Sequence, residues 1–302
     1  MALLASLAAG LFIGYGNILA KKTQIFLGKL FNNIFLIMLM LLGANIFSSE
    51  LVVNNISSIG ILAVLLTASI CVSSVLLTLI LVSWLYPDGE KQDEKKHIEA
   101  DPINLKQAIT PVFAILFGAF LEMVNLNLPI SYERWIYWLM ISLILGIGID
   151  IGRNREELGL IKGIGWLGFI VPFGALAGSI VGSLIFGLVT GIPSKVTVAI
   201  GAGSGFYSVT APLVAQAAGA EYGALALIAN FLRETFTIIL LPLITLRFRH
   251  PALVSVGGAT TMDTTLPIIA RSLGAKTAMI GLVQGIILSI IVPILLPIIL
   301  GI

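Results

Sequence analysis

An all-α protein embedded in a membrane is the fold class this sequence predicts, and three features carry the prediction. Of its 302 residues, 58% are hydrophobic and 11% are charged, whereas about a quarter of the residues in a soluble domain are charged. Mean hydropathy is +1.07. The apolar residues also gather in runs of membrane-spanning length instead of short alternating stretches.

The runs are residues 2–20, 30–47, 59–85, 108–127, 135–151, 164–190, 220–246 and 274–300, enough for about eight transmembrane helices. The first run has no basic residues ahead of it, and Lys21 and Lys22 follow it, so a helix that stays in the membrane is expected rather than a cleaved signal. Basic residues cluster at 21–29, 86–107, 152–163 and 247–250. Positive charge collects on cytoplasmic loops, and strict alternation then puts both termini outside a cell (inner or plasma) membrane. Residues 1–85 read as an N-terminal three-helix membrane segment, 86–107 as a polar cytoplasmic linker and 108–302 as a C-terminal membrane segment. His97 in the mixed-sign linker reads as solvated.

Two segments, 196–219 and 251–273, are only moderately apolar and carry glycine, hydroxyl residues and an internal proline. The alternation holds only if each returns to the side it entered from, so both are expected to be re-entrant. Irregular backbone at that depth must be buried in protein or line a wet cavity. Sliding the chain by 55 positions lays GSGFYSVTAPLVAQ (203–216) on GATTMDTTLPIIAR (258–271) and continues without a gap to Ile244 over Ile299. Apolar composition inflates such a match, but Gly203, Thr210, Pro212 and Gly219 recur in register. Each unit, one re-entrant segment plus one span, crosses an odd number of times, so successive units point in opposite directions. That is an inverted repeat, which in secondary transporters surrounds a substrate site near the midplane. A weaker pairing, LLGANIF (41–47) over GIGIDIG (146–152), puts Asn45 opposite Asp150.

Ionisable residues deep in a span are costly and mark function by default. Glu234 lies midway along its run beside Arg233 and shares a helix face with Asn230. Asp263 sits among Thr260, Thr261, Thr264 and Thr265. Asp150 closes the fifth run. Each has a structural alternative: ion pairing with neighbouring helices for Arg233 and Glu234, a helix cap for Asp263, and an interfacial pair with Arg153 or Arg155 for Asp150. Pro212 and Pro267 are expected to open the second limb of each re-entrant segment, where free amides attract anions. Ser204, Tyr207, Ser208 and Thr210 surround the first of these limbs. Two carboxylates plus anion-attracting helix starts would be fully used by a zwitterion with an extra cationic side chain, and lysine is one.

At SGFYSVTAPL (204–213), ANFLRE (229–234) and GATTMDTTLPIIAR (258–271) the sequence resembles the LysO-type lysine exporters of prokaryotes, most specifically in the last block. The resemblance implies eight spans with both ends outside, and membrane acids that matter for transport. Those roles fall here on Glu234 and Asp263. The N-terminal half matches by hydropathy and LLGANIF, where Asn45 is polar but uncharged, and Asp150 is the candidate for a third acid.

The leading expectation is therefore a secondary transporter that exports lysine and close cationic analogues in exchange for protons or sodium. No cofactor or metal is expected beyond Na+ as a coupling ion, and the partners are lysine, lipid and a second copy in a homodimer. A multimeric channel with glycine-rich re-entrant segments is the alternative. Nucleic acid finds no footprint in a net charge of +2. Cys71 is the only cysteine, which excludes an internal disulfide and a multi-cysteine metal site. An enzyme is not expected: GIGID (146–150) lacks the spacing and partner motif of an intramembrane aspartyl protease, and no HExxH occurs.

Overall fold

Each of the eight apolar runs is built around a helix. The computed structural model describes residues 2–16, 21–48, 50–85, 105–124, 131–153 and 165–302. The helices are α1 (Ala2–Tyr15), α2 (Lys21–Phe47), α3 (Glu50–Leu85), α4 (Leu105–Met123), α5 (Tyr132–Arg153), α6 (Leu167–Thr190), α7 (Ser194–Ala202), α8 (Tyr207–Ala218), α9 (Ala220–Thr245), α10 (Leu266–Leu273) and α11 (Ala275–Leu300). No strand occurs among the described residues. Among the described residues five stretches are long and apolar enough to cross a membrane: Phe26–Phe47, Val52–Leu85, Leu167–Thr190, Ala220–Thr245 and Lys276–Leu300. Phe113–Met123 and Arg134–Gly146 are shorter apolar pieces. Most of the 86–107 linker, His97 included, and much of the 152–163 loop lie outside the described residues.

Helices pair closely in the N-terminal part: α1 with α5, α2 with α4, and α3 with α6. Small residues make this approach feasible, as they do wherever helices associate in lipid. A Cβ on Gly14 would strike the α5 backbone, and one on Gly118 would strike α2. Hydroxyls reinforce the α3–α6 seam, with Ser69 Oγ donating to Gly182 O at 2.8 Å and Ser73 Oγ to Gly178 O at 2.7 Å. Large apolar side chains such as Phe12, Trp84, Phe113 and Leu188 stand exposed on the outside, the arrangement expected of a lipid-facing surface.

Both segments that resisted assignment as plain spans are broken. In the first, α7 ends at Ala202 and α8 begins at Tyr207; between them Ser204 (φ 52°) and Gly205 (φ 86°) turn left-handed. In the second, short 3₁₀ turns over Pro251–Val256 and Gly258–Met262 lead through Asp263 to α10. The two breaks touch: Ala259 N donates to Ser204 O at 2.8 Å. These residues are equivalents in the 55-residue register.

That register extends further. Helices α9 and α11 begin 55 residues apart and end 55 residues apart. The glycines ahead of them, Gly219 (φ 100°) and Gly274 (φ 86°), adopt the same left-handed bend. Each donates its amide to the residue four back, Ala215 O at 2.9 Å and Ala270 O at 3.0 Å. The units differ at the start of the second limb. Pro267 opens α10 as expected, but Pro212 lies inside α8. The first turn of α8 closes ahead of the proline, because the amides of Val209 and Thr210 and the Thr210 hydroxyl all donate to Phe206 O. In the second unit the chain at that register is taken up by the turn in which Thr265 N and Oγ1 donate to Thr260 O.

Candidate functional site

The two breaks face a cavity of about 670 Å³. Its opposite wall comes from the N-terminal helices, with Asn32, Phe35 and Leu36 of α2, Thr110 of α4 and Leu143 of α5. Gly205, Tyr207 and Ser208 reach it from the first break, and Thr260, Asp263 and Thr264 from the second. Glu234 enters from α9 and Ser289 from α11. No Lys, Arg or His is among the described lining residues, so the formal charge of the described walls is that of two carboxylates.

Asp263 is exposed to the cavity, whereas Glu234 retains only 5% of its surface. Thr264 joins them. Its amide and hydroxyl donate to Asp263 Oδ1 at 2.6 and 3.2 Å, and its side chain also lies within interaction range of Glu234. Asp263 thus bonds to the neighbouring residue of its own turn and does not cap α10, which starts without a side-chain cap, and its carboxylate lines the cavity. Tyr207 packs edge-on against Phe231 of α9 and tilts against Phe35 of α2, closing the first break onto the opposite wall.

Arg233 points elsewhere. Successive residues of a helix diverge by about 100°, and that turn takes its guanidinium out of the cavity into protein. It is 2% exposed. Nε donates to Val256 O at 2.7 Å, Nη2 to Ser255 O at 2.8 Å and Nη1 to Ser179 Oγ of α6 at 2.9 Å. Arg233 therefore ties the last carbonyls of the first 3₁₀ turn, and hence the second break, to the α3–α6 pair. Asn230 holds the first break to α9 and α7 instead. Its Oδ1 accepts from Gly205 N at 2.7 Å while Nδ2 donates to Ile200 O at 3.2 Å and Ala226 O at 3.0 Å.

The remaining expected site residues divide between the cavity and its supports. Thr261 is buried and donates to Gly258 O and Gly281 O; Thr210 and Thr265 are buried and bond to their own turns. Ser204 is fully buried at the contact between the breaks, its hydroxyl without a partner. Asn45 borders a separate small cleft with Pro212 and Gln216. Asp150 is in the last turn of α5, and its side chain lies outside the described residues. Ser289, Asn32 and Thr110 were not expected. The 55-residue register could have found Ser289, which lies opposite Glu234; nothing in the local sequence distinguishes Asn32 or Thr110 from other polar residues in apolar helices. No cluster of metal-ligating residues occurs among those described.

A family model described as "Lysine exporter LysO" matches residues 112–300. A putative lysine exporter of Haemophilus influenzae is 28% identical over 152 residues, which cover 49% of this chain and 75% of that protein. The lysine exporter LysO of Escherichia coli is 29% identical over 146 residues, so the matched region spans about half of that protein's length, 48% of each chain.

Proposed function

The chain belongs to the lysine exporter LysO family, and from that premise we propose that it carries lysine out of the cytoplasm through the cavity described above, as a cation-coupled antiporter. The family is one of transporters, so the chain is a multi-pass membrane transporter and not an enzyme. One observation carries the reading of the site: Glu234 and Asp263, from different structural units, line one cavity whose described walls hold no basic side chain. In a poorly hydrated space an ammonium group needs a carboxylate partner, and two carboxylates suit a substrate with two ammonium groups.

Transport also requires that the cavity open to each side in turn. The 55-residue repeat supports this, because an inverted pair of units can exchange conformations around a fixed site. Eight crossings, with the broken segments re-entrant from opposite faces, are part of the same proposal. The contact between Ser204 and Ala259 supports it, since register-equivalent residues meet where a two-fold axis would pass. In export the coupling ion, H+ or Na+, and lysine occupy the same carboxylates in turn. The test is uptake of labelled lysine into proteoliposomes under an imposed pH or sodium gradient. Accumulation driven by one gradient and competed by unlabelled lysine supports the proposal; leakage that neither saturates nor responds to either gradient opposes it.

A further inference from the structure

The 55-residue register pairs Ser208 with Asp263 and Glu234 with Ser289, and all four residues line the cavity. The pairing makes the site lopsided. Asp263 of the second break and Glu234 of α9 both neighbour Thr264, which donates to Asp263. Their register counterparts, Ser208 of the first break and Ser289 of α11, line the same cavity and carry no charge. Each serine is nearly buried, at 5% and 1% of its surface. Among the described residues the Ser208 hydroxyl has no hydrogen-bond partner, and that of Ser289 reaches only the sulfur of Met262, at 3.5 Å, a weak acceptor. Ser208 also lies in the first turn of α8, a helix of 12 residues with no side-chain cap. The amides of Val209 and Thr210 are taken by Phe206 O, which leaves those of Tyr207 and Ser208 at the helix start without a helical acceptor.

We infer that Ser208 and Ser289 take the carboxylate of the bound amino acid, while Asp263 and Glu234 take its ammonium groups. This assignment rests on the reading of the cavity as a lysine site and gives the bound amino acid a direction. Two hydroxyl donors with no strong internal partner, beside the free amides of a helix start, are what an α-carboxylate requires. Two carboxylates in place of the serines would repel it. The asymmetry between the repeats is thus what distinguishes an amino acid from a diamine.

The test compares L-lysine with 1,5-diaminopentane, which keeps both amines and lacks the carboxylate, as ligands of the purified full-length protein by equilibrium titration. Ser208→Ala and Ser289→Ala should each weaken lysine binding about tenfold, the size expected for one hydrogen bond to a charged group, and leave the diamine within about twofold. Ser208→Thr, which keeps the hydroxyl, should restore lysine. Ser289→Asp should abolish lysine binding and strengthen the diamine. The inference is overturned if the serine variants bind lysine as the wild type does, if they lose the diamine in parallel with lysine, or if the wild type holds no diamine at millimolar concentration. Asp263→Asn separates the two levels. Unchanged lysine binding in that variant removes the lysine-site reading itself, whereas a loss there with unchanged binding in the serine variants removes only the assignment of the serines.

Discussion

Arg233 and Glu234 are neighbours in sequence, and the structure predicts opposite consequences for replacing them. Arg233→Met removes the donor for two buried carbonyls, Ser255 O at 2.8 Å and Val256 O at 2.7 Å, and for the Ser179 hydroxyl at 2.9 Å. A buried carbonyl left unsatisfied costs about 1–3 kcal/mol, so two give roughly 2–6 kcal/mol. Relief of the guanidinium's own desolvation offsets part of this, and the expected net loss is about 3 kcal/mol. Arg233→Lys should recover only a fraction, since a single ammonium cannot serve a forked set of acceptors. Glu234→Gln keeps the shape of a side chain that faces the cavity, so stability should change by less than about 1 kcal/mol while lysine export is lost. Cys71 is the only thiol and is buried, so a thiol-reactive fluorophore reports unfolding directly as the detergent-solubilised protein is heated. A clear drop in midpoint for Arg233→Met and none for Glu234→Gln is the expected pattern. Equal midpoints for Arg233→Met and wild type would refute the anchoring role, and a drop in Glu234→Gln as large as that in Arg233→Met would make Glu234 structural.

Other consequences follow from the same contacts. Asn230→Ala strands Gly205 N and should cost about 1–3 kcal/mol, read in the same thiol assay, with Asn230→Asp less harmful because it keeps the acceptor. His250 begins the second broken segment, and its Nδ1 accepts from Ala252 N at 3.1 Å. Burial holds this imidazole below its usual range, and the cap needs the neutral form. The contribution, about 1 kcal/mol for a cap, is therefore present above about pH 6.5 and lost as pH falls through the lowered folded value; His250→Ala should remove that part of the pH dependence. Cysteines placed at 21–29, 86–107, 152–163 and 247–250 should resist membrane-impermeant reagent in intact cells, and strong labelling of Arg153→Cys would overturn the orientation.

Much of this was legible because hydropathy and turn chemistry are local. The eight apolar runs become helices α1 to α6, α9 and α11, with ends within a few residues of expectation at most termini. Glycine and hydroxyl residues around 203–206 and 257–265 mark the breaks because a regular helix through them is unfavourable. Both acids of the leading reading line one cavity. Direction was harder to read. Sequence shows that Arg233 and Glu234 diverge, but which of them faces the cavity depends on distant partners: the guanidinium reaches Ser179 of α6, about fifty residues away, and, at 3.5 Å, Ser74 of α3, more than a hundred away. Pro212 illustrates a different gap: proline suits a helix start, yet Thr210 and Val209 close a turn on Phe206 O first. Asn45 carries the same kind of polar signal as Asn32, and only packing separates the residue in a side cleft from the one on the cavity wall.

Counterflow of labelled lysine into proteoliposomes preloaded with unlabelled lysine tests the central claim most directly, with wild type, Glu234→Gln and Asp263→Asn measured side by side across pH. The account predicts saturable counterflow in the wild type, with near-complete loss in both variants while their thiol-exposure midpoints stay close to that of the wild type. Lysine exchange at the wild-type rate in both variants, with an unchanged pH profile, would contradict it.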